Sequence, residues 1–335
     1  MSSSLPDRYR AMVVRETPEG FVKTVEELPI GQLPDNDVLI RVHYTSLNYK
    51  DALSAIGNRG VTTHYPHTPG IDAAGIVTRS RDERFKPGDK VIVTSYDLGM
   101  DTPGGFGEYI SVPADWIVPL PEGLTLRESM IIGSAGFTAC YGVYKIKEGG
   151  IEPDEGPVVV TGSTGGVGSF SVALLSQLGY QVVAVTGKQK EHQFLKSLGA
   201  SEIVPREVVT DRSNKHLLKG RWAAAVDTVG GEILDTIIRQ TRHNGIVTCC
   251  GNVLGPVLKT SIYPFILRGV SLMGIDSGIT LMPRRKKLWK RLSEEWRLKK
   301  MEELTREVKL DQLADEVDRI LEGNQIGRVI VNLTG

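Results

Sequence analysis

The spacing of apolar residues changes along the chain. Between residues 10 and 130 the apolar positions come in short runs, of which 38–44, 74–77 and 90–94 read as strands. Pro69-Gly70, Pro87-Gly88-Asp89, Pro103-Gly104-Gly105 and Pro121-Glu122-Gly123 separate them. Short strands punctuated by Gly and Pro predict a small barrel-like β fold. Near residue 125 the spacing becomes helical. Thr125 with Glu128 three residues on forms a capping-box pattern, so a helix is expected over 125–146. After Pro157, strand and helix alternate. Strands are predicted at 158–160, 181–185, 202–204, 223–226, 246–250 and 270–273, and helices at 167–178, ending at Gly179, and at 191–198.

Continuous apolar strands alternating with helices imply a parallel sheet covered on both faces, the α/β doubly wound pattern of nucleotide-binding domains. A helix over 283–296 is expected to close that domain. The tail carries a further helix at 313–321 and a strand at 328–333, which is expected to rejoin the β-rich part. The expected organisation is therefore one discontinuous domain, 1–127 with 298–335, and an inserted nucleotide domain, 128–297.

Composition narrows the function classes. The chain has 335 residues with 40 Lys+Arg and 40 Asp+Glu, a net charge of zero. That argues against a nucleic-acid or polybasic membrane-surface role. No window approaches the ~18 apolar residues of a membrane span. The first ten residues lack a signal-peptide apolar run, and Cys140, Cys249 and Cys250 form no readable disulfide framework. A cytoplasmic protein is expected. The basic run 284–291 falls opposite Leu288, Trp289, Leu292 and Trp296 on a helical wheel, so its cations read as a solvated face.

The loop between strand 158–160 and the next helix is glycine-rich. Ser163, Thr164, Gly165, Gly166 and Val167 are its candidate phosphate-binding residues, although Ser163 stands where the usual G-x-G-x-x-G spacing has glycine. The following strand ends in Thr186-Gly187-Lys188, with no carboxylate before Glu191. An acidic residue there would serve a ribose 2′-hydroxyl, whereas Lys188, Thr186 and Arg206 suit a 2′-phosphate. The cofactor expected is NADPH. Asn252 and Ser277 follow the last two predicted strands, where loops line the carboxyl edge of such sheets. Ile266 is read either as packing on the cofactor or as a core residue.

His67–Gly75, Phe85–Val91, Gly104–Tyr109 and Gly133–Ala139, with the glycine loop, resemble the medium-chain dehydrogenase/reductase superfamily over nearly the whole chain. Residues 46–53, 263–268, 274–277 and 324–328 are similar to its YhdH/YhfP-type quinone oxidoreductase branch, which includes acrylyl-CoA reductase. The resemblance implies a GroES-like catalytic domain, a Rossmann domain, NADPH, a homodimer, and reduction of an activated double bond. Zinc-dependent members carry an early Cys and a His-Glu pair. Here no Cys precedes Cys140, and Ile71-Asp72 stands at the pair's position, so no metal is expected. His43, His64 and His67 read as surface or packing residues.

By the same resemblance Asn48 and Tyr49 lie near the nicotinamide. Asn48 is a candidate to bond the ribose, the carboxamide or the substrate oxygen, and Tyr49 to be a donor or a pocket wall. Read alone, the pair is a polar turn after a strand. Lys50 and Asp51 are expected to form an ion pair or a helix cap. Arg328 approaches the cofactor if the family reading holds, and is otherwise a solvated edge-strand cation. The expected reaction is hydride delivery to the β-carbon of acrylyl-CoA, giving propionyl-CoA. Quinone or enone reduction is the alternative, and a low-turnover NADPH-binding sensor or structural protein the second alternative.

Overall fold

The computed structural model describes residues 5–334. A hairpin comes first, β1 (Arg8–Thr17) and β2 (Gly20–Pro29). The chain continues through β3 (Val38–Leu47), α1 (Tyr49–Ala55), β4 (Asp72–Ser80), β5 (Lys90–Thr94), β6 (Tyr109–Val112) and β7 (Ile117–Pro119) into α2 (Leu126–Glu148). Next come β8 (Val158–Val160), α3 (Gly166–Gln177), β9 (Val182–Val185), α4 (His192–Ser197), β10 (Glu202–Val204) and β11 (Trp222–Asp227). They are followed by α5 (Gly231–Gln240), β12 (Thr241–Cys249), α6 (Tyr263–Arg268) and β13 (Ser271–Gly274). The remaining elements are α7 (Met282–Ser293), β14 (Thr305–Lys309), α8 (Leu313–Leu321) and β15 (Arg328–Asn332).

The chain divides into two units. One runs up to Ser134 and takes in Gly278–Ser293 and the residues from Thr305 onward. Its main sheet has the order β14-β15-β3-β4-β5-β7, with β6 also pairing β3. Side chains alternate along each strand. In β1, Met12 and Val14 therefore join a large core with Val38, Ile40 and Val42, while Tyr9, Ala11 and Val13 pack with Leu39 and Tyr109 on the other side. Strand β15 runs antiparallel to β3, with Val331 opposite Thr45, so the tail does rejoin the β-rich unit.

The other unit comprises Ala135–Ser277 and Glu294–Leu304. Its six strands are all parallel, in the order β10-β9-β8-β11-β12-β13. The chain leaves β8 in one direction and later returns to its other side. This makes the end of β8 a topological switch point, the usual ligand position in such sheets. Val158, Val159 and Val160 are fully buried, as strands covered on both faces require.

Two boundaries differ from the expected ones. The first unit extends to Ser134 rather than 127, and α7 belongs to it. Periodicity shows which face of a helix is buried but not its partner. The partner here is set by Arg285, which is fully buried and donates to the carbonyl and hydroxyl of Thr94 at the end of β5. Conversely, 298–304 falls in the second unit, where Lys299 N–H donates to Gln177 and Lys300 to the Ser197 carbonyl. The Thr125–Glu128 box forms in both directions, at 3.1 and 2.9 Å.

Candidate active site

In the first unit, β3 ends and α1 begins at Asn48. Around this turn lies a buried polar cluster centred on Asp72 of β4. The Asp72 carboxylate accepts from Ser46 Oγ at 2.5 Å, Asn48 Nδ2 at 2.8 Å, Ser134 N–H at 2.9 Å and Ser134 Oγ at 2.6 Å. The Ser134 contacts depend on Gly133, which interrupts α2 with φ 49° and ψ −161°. A Cβ at 133 would stand 2.5 Å from Asp72 Oδ2 and 2.6 Å from Arg328 Nη2. Only glycine fits that close approach. Because Ser134 gives its proton to Asp72, it accepts the proton of Ser95 Oγ, 2.8 Å away.

Arg328, 1% exposed, closes the cluster from β15. It donates to the carbonyls of Ile131 and Leu47, to Asn48 Oδ1 at 3.2 Å and to Ser46 Oγ at 2.8 Å, and lies 3.8 Å from Asp72. The reading of Arg328 as a solvated edge cation is therefore wrong. Four of its five N–H donors bond groups of the protein interior. Asn48 is buried in the same cluster, its amide nitrogen donating to Asp72 and its Oδ1 accepting from Arg328. Tyr49, next in the chain, is 41% exposed and is the accessible member of the candidate pair.

Asp51 is the helix cap of the two expected roles, and no ion pair with Lys50 forms. Its carboxyl accepts Asn48 N–H and Ile71 N–H, both at 2.8 Å, while Lys50 Nζ lies 4.0 Å from Met100 Sδ. Complete burial, and then the nearby charge of Asp72, pushes the Asp51 carboxyl up to about 7. Burial pulls the Arg328 guanidinium below its ordinary value, opposed by Asp72 and Asp51. Sequence reasoning did not find Ser46, Ser95, Gly133 or Ser134. A lone Ser or Gly carries no periodic signal, and their roles exist only once four elements meet. Among the described residues no group of three or more His, Cys, Asp or Glu side chains is arranged to hold a metal ion.

In the second unit, the glycine loop leaves β8 and enters α3 through Gly165. Gly162 has φ 56°, and a Cβ at Gly168 would meet the Gly162 carbonyl at 2.2 Å, so helix and loop pack without side chains between them. The first turn of α3, including Gly166 and Val167, holds no acidic residue. Its unpaired N–H groups and positive dipole end suit a diphosphate. Thr164 is buried beside them. Ser163 does something else. Its hydroxyl donates to the Val160 carbonyl at 2.7 Å and accepts Val185 N–H at 2.9 Å, tying loop to β9. The departure from the glycine spacing is thus a structural staple.

Beyond β9, Lys188 N–H donates to Thr186 Oγ1 at 3.0 Å, folding the turn. The Arg206 side chain lies 3.4 Å from where a Gly187 Cβ would stand. Lys188 is lowered from its ordinary pKa, first by partial burial, with Glu191 opposing and Arg206 adding repulsion. Two cations thus sit close together at the strand end, an arrangement that a dianion would relieve. Asn252 is exposed after β12. Ser277 shares a 2.6 Å hydrogen bond with Thr138. Ile266 is 63% exposed, which removes its alternative reading as a core residue. Cys140 is buried, and burial followed by Asp227 pushes the Cys250 thiol up to about 12, so these thiols act as packing groups.

Comparison with known proteins accords with this geometry. Residues 34–122 match the alcohol dehydrogenase GroES-like domain and 166–294 the zinc-binding dehydrogenase family. The chain is 43% identical to the putative quinone oxidoreductase YhfP of Bacillus subtilis, over 97% of this chain and 99% of that protein. It is 40% identical to the probable acrylyl-CoA reductase AcuI of Escherichia coli, with the same coverage. The chain belongs to the medium-chain dehydrogenase/reductase superfamily, in its quinone oxidoreductase-like branch. Within this branch, the crystal structure of the YhdH oxidoreductase from Salmonella enterica in complex with NADP superposes with a TM-score of 0.93 at 41% identity, covering 97% of this chain and all of that one. The Bacillus subtilis YhfP structure with NAD bound gives 0.94 at 42%, covering 98% of this chain and all of that one. The family's α/β architecture, a GroES-like unit and a parallel-sheet Rossmann unit, is the one described above.

Proposed function

We propose that this oxidoreductase is an NADPH-dependent reductase of activated alkenes, with acrylyl-CoA as substrate and propionyl-CoA as product. The single observation that supports the cofactor is the Thr186–Lys188–Arg206 corner, which has two cations where a carboxylate would serve NAD. The thioester follows the naming of relatives at 40% identity. NADPH supplies the hydride when bound. The amides at the start of α3 hold its diphosphate, and Lys188 and Arg206 its 2′-phosphate. Hydride arrival at the β-carbon builds negative charge on the thioester oxygen, where hydrogen-bond donors contribute most to the rate, and a proton taken from solvent at the α-carbon completes the saturated thioester. Tyr49 is the donor we assign, and the cluster of Asn48, Asp51, Asp72 and Arg328 holds α1, and so Tyr49, in place.

The second reading is quinone reduction, favoured by the name of the relative at 43% identity. Initial rates of NADPH oxidation with acrylyl-CoA and with a simple quinone separate the two. The thioester reading expects kcat/KM above about 10⁴ M⁻¹s⁻¹ for acrylyl-CoA, with the quinone far behind. The reverse ranking gives the quinone reading, and comparable rates with NADH remove the 2′-phosphate role. We further propose a cytoplasmic homodimer. Thiols left unpaired suit a reducing compartment. No helix among the described residues is long and apolar enough to cross a membrane.

A further inference from the structure

In the second unit, β11 is apolar and buried from Trp222 to Val226 and closes on a fully buried carboxylate, Asp227. A carboxylate inside a sheet is costly unless donors surround it, and here three do. Oδ1 accepts the Thr161 hydroxyl at 2.8 Å, Oδ2 accepts Gly230 N–H at 2.8 Å, and Val229 N–H also bonds the group. Burial raises the pKa of Asp227 above its ordinary value, and those three donors oppose the rise.

The donors belong to loops that leave the carboxyl edge of the sheet, where ligands of doubly wound folds bind. Thr161 stands between β8 and the glycine loop. Because its proton goes to Asp227, its oxygen is left to accept, and it takes Thr228 N–H at 2.9 Å. Thr228 Oγ1 returns a bond to the Thr161 carbonyl at 2.9 Å. On the other side, the Asp227 carbonyl accepts Cys250 N–H at 3.0 Å, where the loop after β12 begins. Further along that loop, Leu254 N–H donates to the Val229 carbonyl at 2.8 Å. The loops after β11 and β12 pack backbone to backbone, since a Cβ at Gly251 would run into the Thr228 carbonyl. Candidate cofactor residues follow directly on these bonds: Ser163 to Val167 after Thr161, and Asn252 between Cys250 and Leu254.

We propose that Asp227 is a positioning residue for the dinucleotide: by fixing the Thr161 hydroxyl and the Gly230 amide, it holds the three loops in the shape that receives the cofactor. A site ordered in advance spares the binding step the cost of ordering it. The proposal rests on dinucleotide binding at the glycine loop and not on which acceptor is reduced. Asparagine has one acceptor oxygen where the carboxylate has two, so its NH2 meets either the Gly230 N–H or the Thr161 hydroxyl. The test titrates NADPH and NADH by nicotinamide fluorescence into wild type, Asp227→Asn, Thr161→Val and Thr161→Ser. Asp227→Asn and Thr161→Val are each expected to raise both dissociation constants about tenfold. The double variant adds little, because both changes break the same bond. Thr161→Ser keeps the hydroxyl and is expected to stay within about twofold of wild type. KM for NADPH is expected to rise with the dissociation constant, while kcat at saturating NADPH holds within about threefold. If Asp227→Asn does not fold, the two Thr161 variants carry the test. Dissociation constants within about twofold of wild type in the Asn and Val variants overturn the proposal, whatever their melting temperatures. A loss confined to kcat overturns it as well. Equal wild-type affinity for NADPH and NADH removes the 2′-phosphate role of Lys188 and Arg206 instead, and the Asp227 comparison is then read on either cofactor.

Discussion

The neighbours of Asp51 oppose one another over its charge. Asn48 N–H and Ile71 N–H both donate to it, which favours the carboxylate, while complete burial and Asp72 favour the acid. The balance lies at about 7, against an ordinary value of 3.8. Between those values the folded protein holds a proton that the unfolded chain has released. The stability this group contributes is therefore full below the lower value and lost as pH rises through the upper one. Asp51→Asn removes the titrating group, keeps one acceptor oxygen for the two backbone N–H donors and sets its NH2 against the other, a cost that does not change with pH. The melting temperature of the variant relative to wild type is expected to rise between about pH 4 and 7 and to level off above that. Parallel curves in thermal melts would refute this. At this scale the sequence announced Asn48 and Tyr49 through a family pattern, and Lys188 and Arg206 through the missing carboxylate. It was silent on Ser46, Ser95 and Ser134, because a buried hydroxyl matters only through partners brought from other strands. The pattern also named Asn48 and Arg328 without saying which way their polar atoms face, and both turn inward.

At the scale of elements, apolar spacing located the six strands of the parallel sheet and helices α3 and α4 to within about five residues, whereas α5 and α6 were not read from it. The hairpin β1–β2 was not legible. The exposed face of β2 is largely uncovered, and Phe21, Val22, Val25 and Leu28 do not alternate strictly. The interruption of α2 was not legible either, because a glycine inside helical spacing reads as tolerated. Yet Gly133 lets the Ser134 amide and hydroxyl reach Asp72. Gly133→Ala would add a Cβ 2.5 Å from Asp72 Oδ2 at a left-handed backbone position. The expected cost is about 2 kcal/mol or more, from backbone strain and lost hydrogen bonds to a buried carboxylate. A fall of several degrees in melting temperature, with loss of turnover, is the predicted result. An unchanged melting curve would mean that the cluster relaxes around the methyl group without cost.

For the whole molecule, the discontinuous order of the two units was readable because the terminal strand changes texture, whereas the side taken by α7 was not. A surface feature remains. Among the described residues strand β13 is a sheet edge that pairs only with β12, so its outer N–H and C=O groups have no sheet partner there. In the same unit Val253, Val257, Ile262, Ile266 and Leu267 are all more than half exposed. An unpaired edge with exposed aliphatic side chains in its unit invites association, and natural proteins normally blunt or cover such edges. A second copy of the chain, meeting the first edge to edge, would cover both features with one two-fold contact. Sedimentation equilibrium is expected to give a dimer for the wild type and a shift to monomer for Ile266→Glu/Leu267→Lys. Both substitutions place charges at exposed positions, so the fold itself should tolerate them. A wild-type monomer at micromolar concentration would mean that the edge stays open in solution, and the homodimer would have to be abandoned.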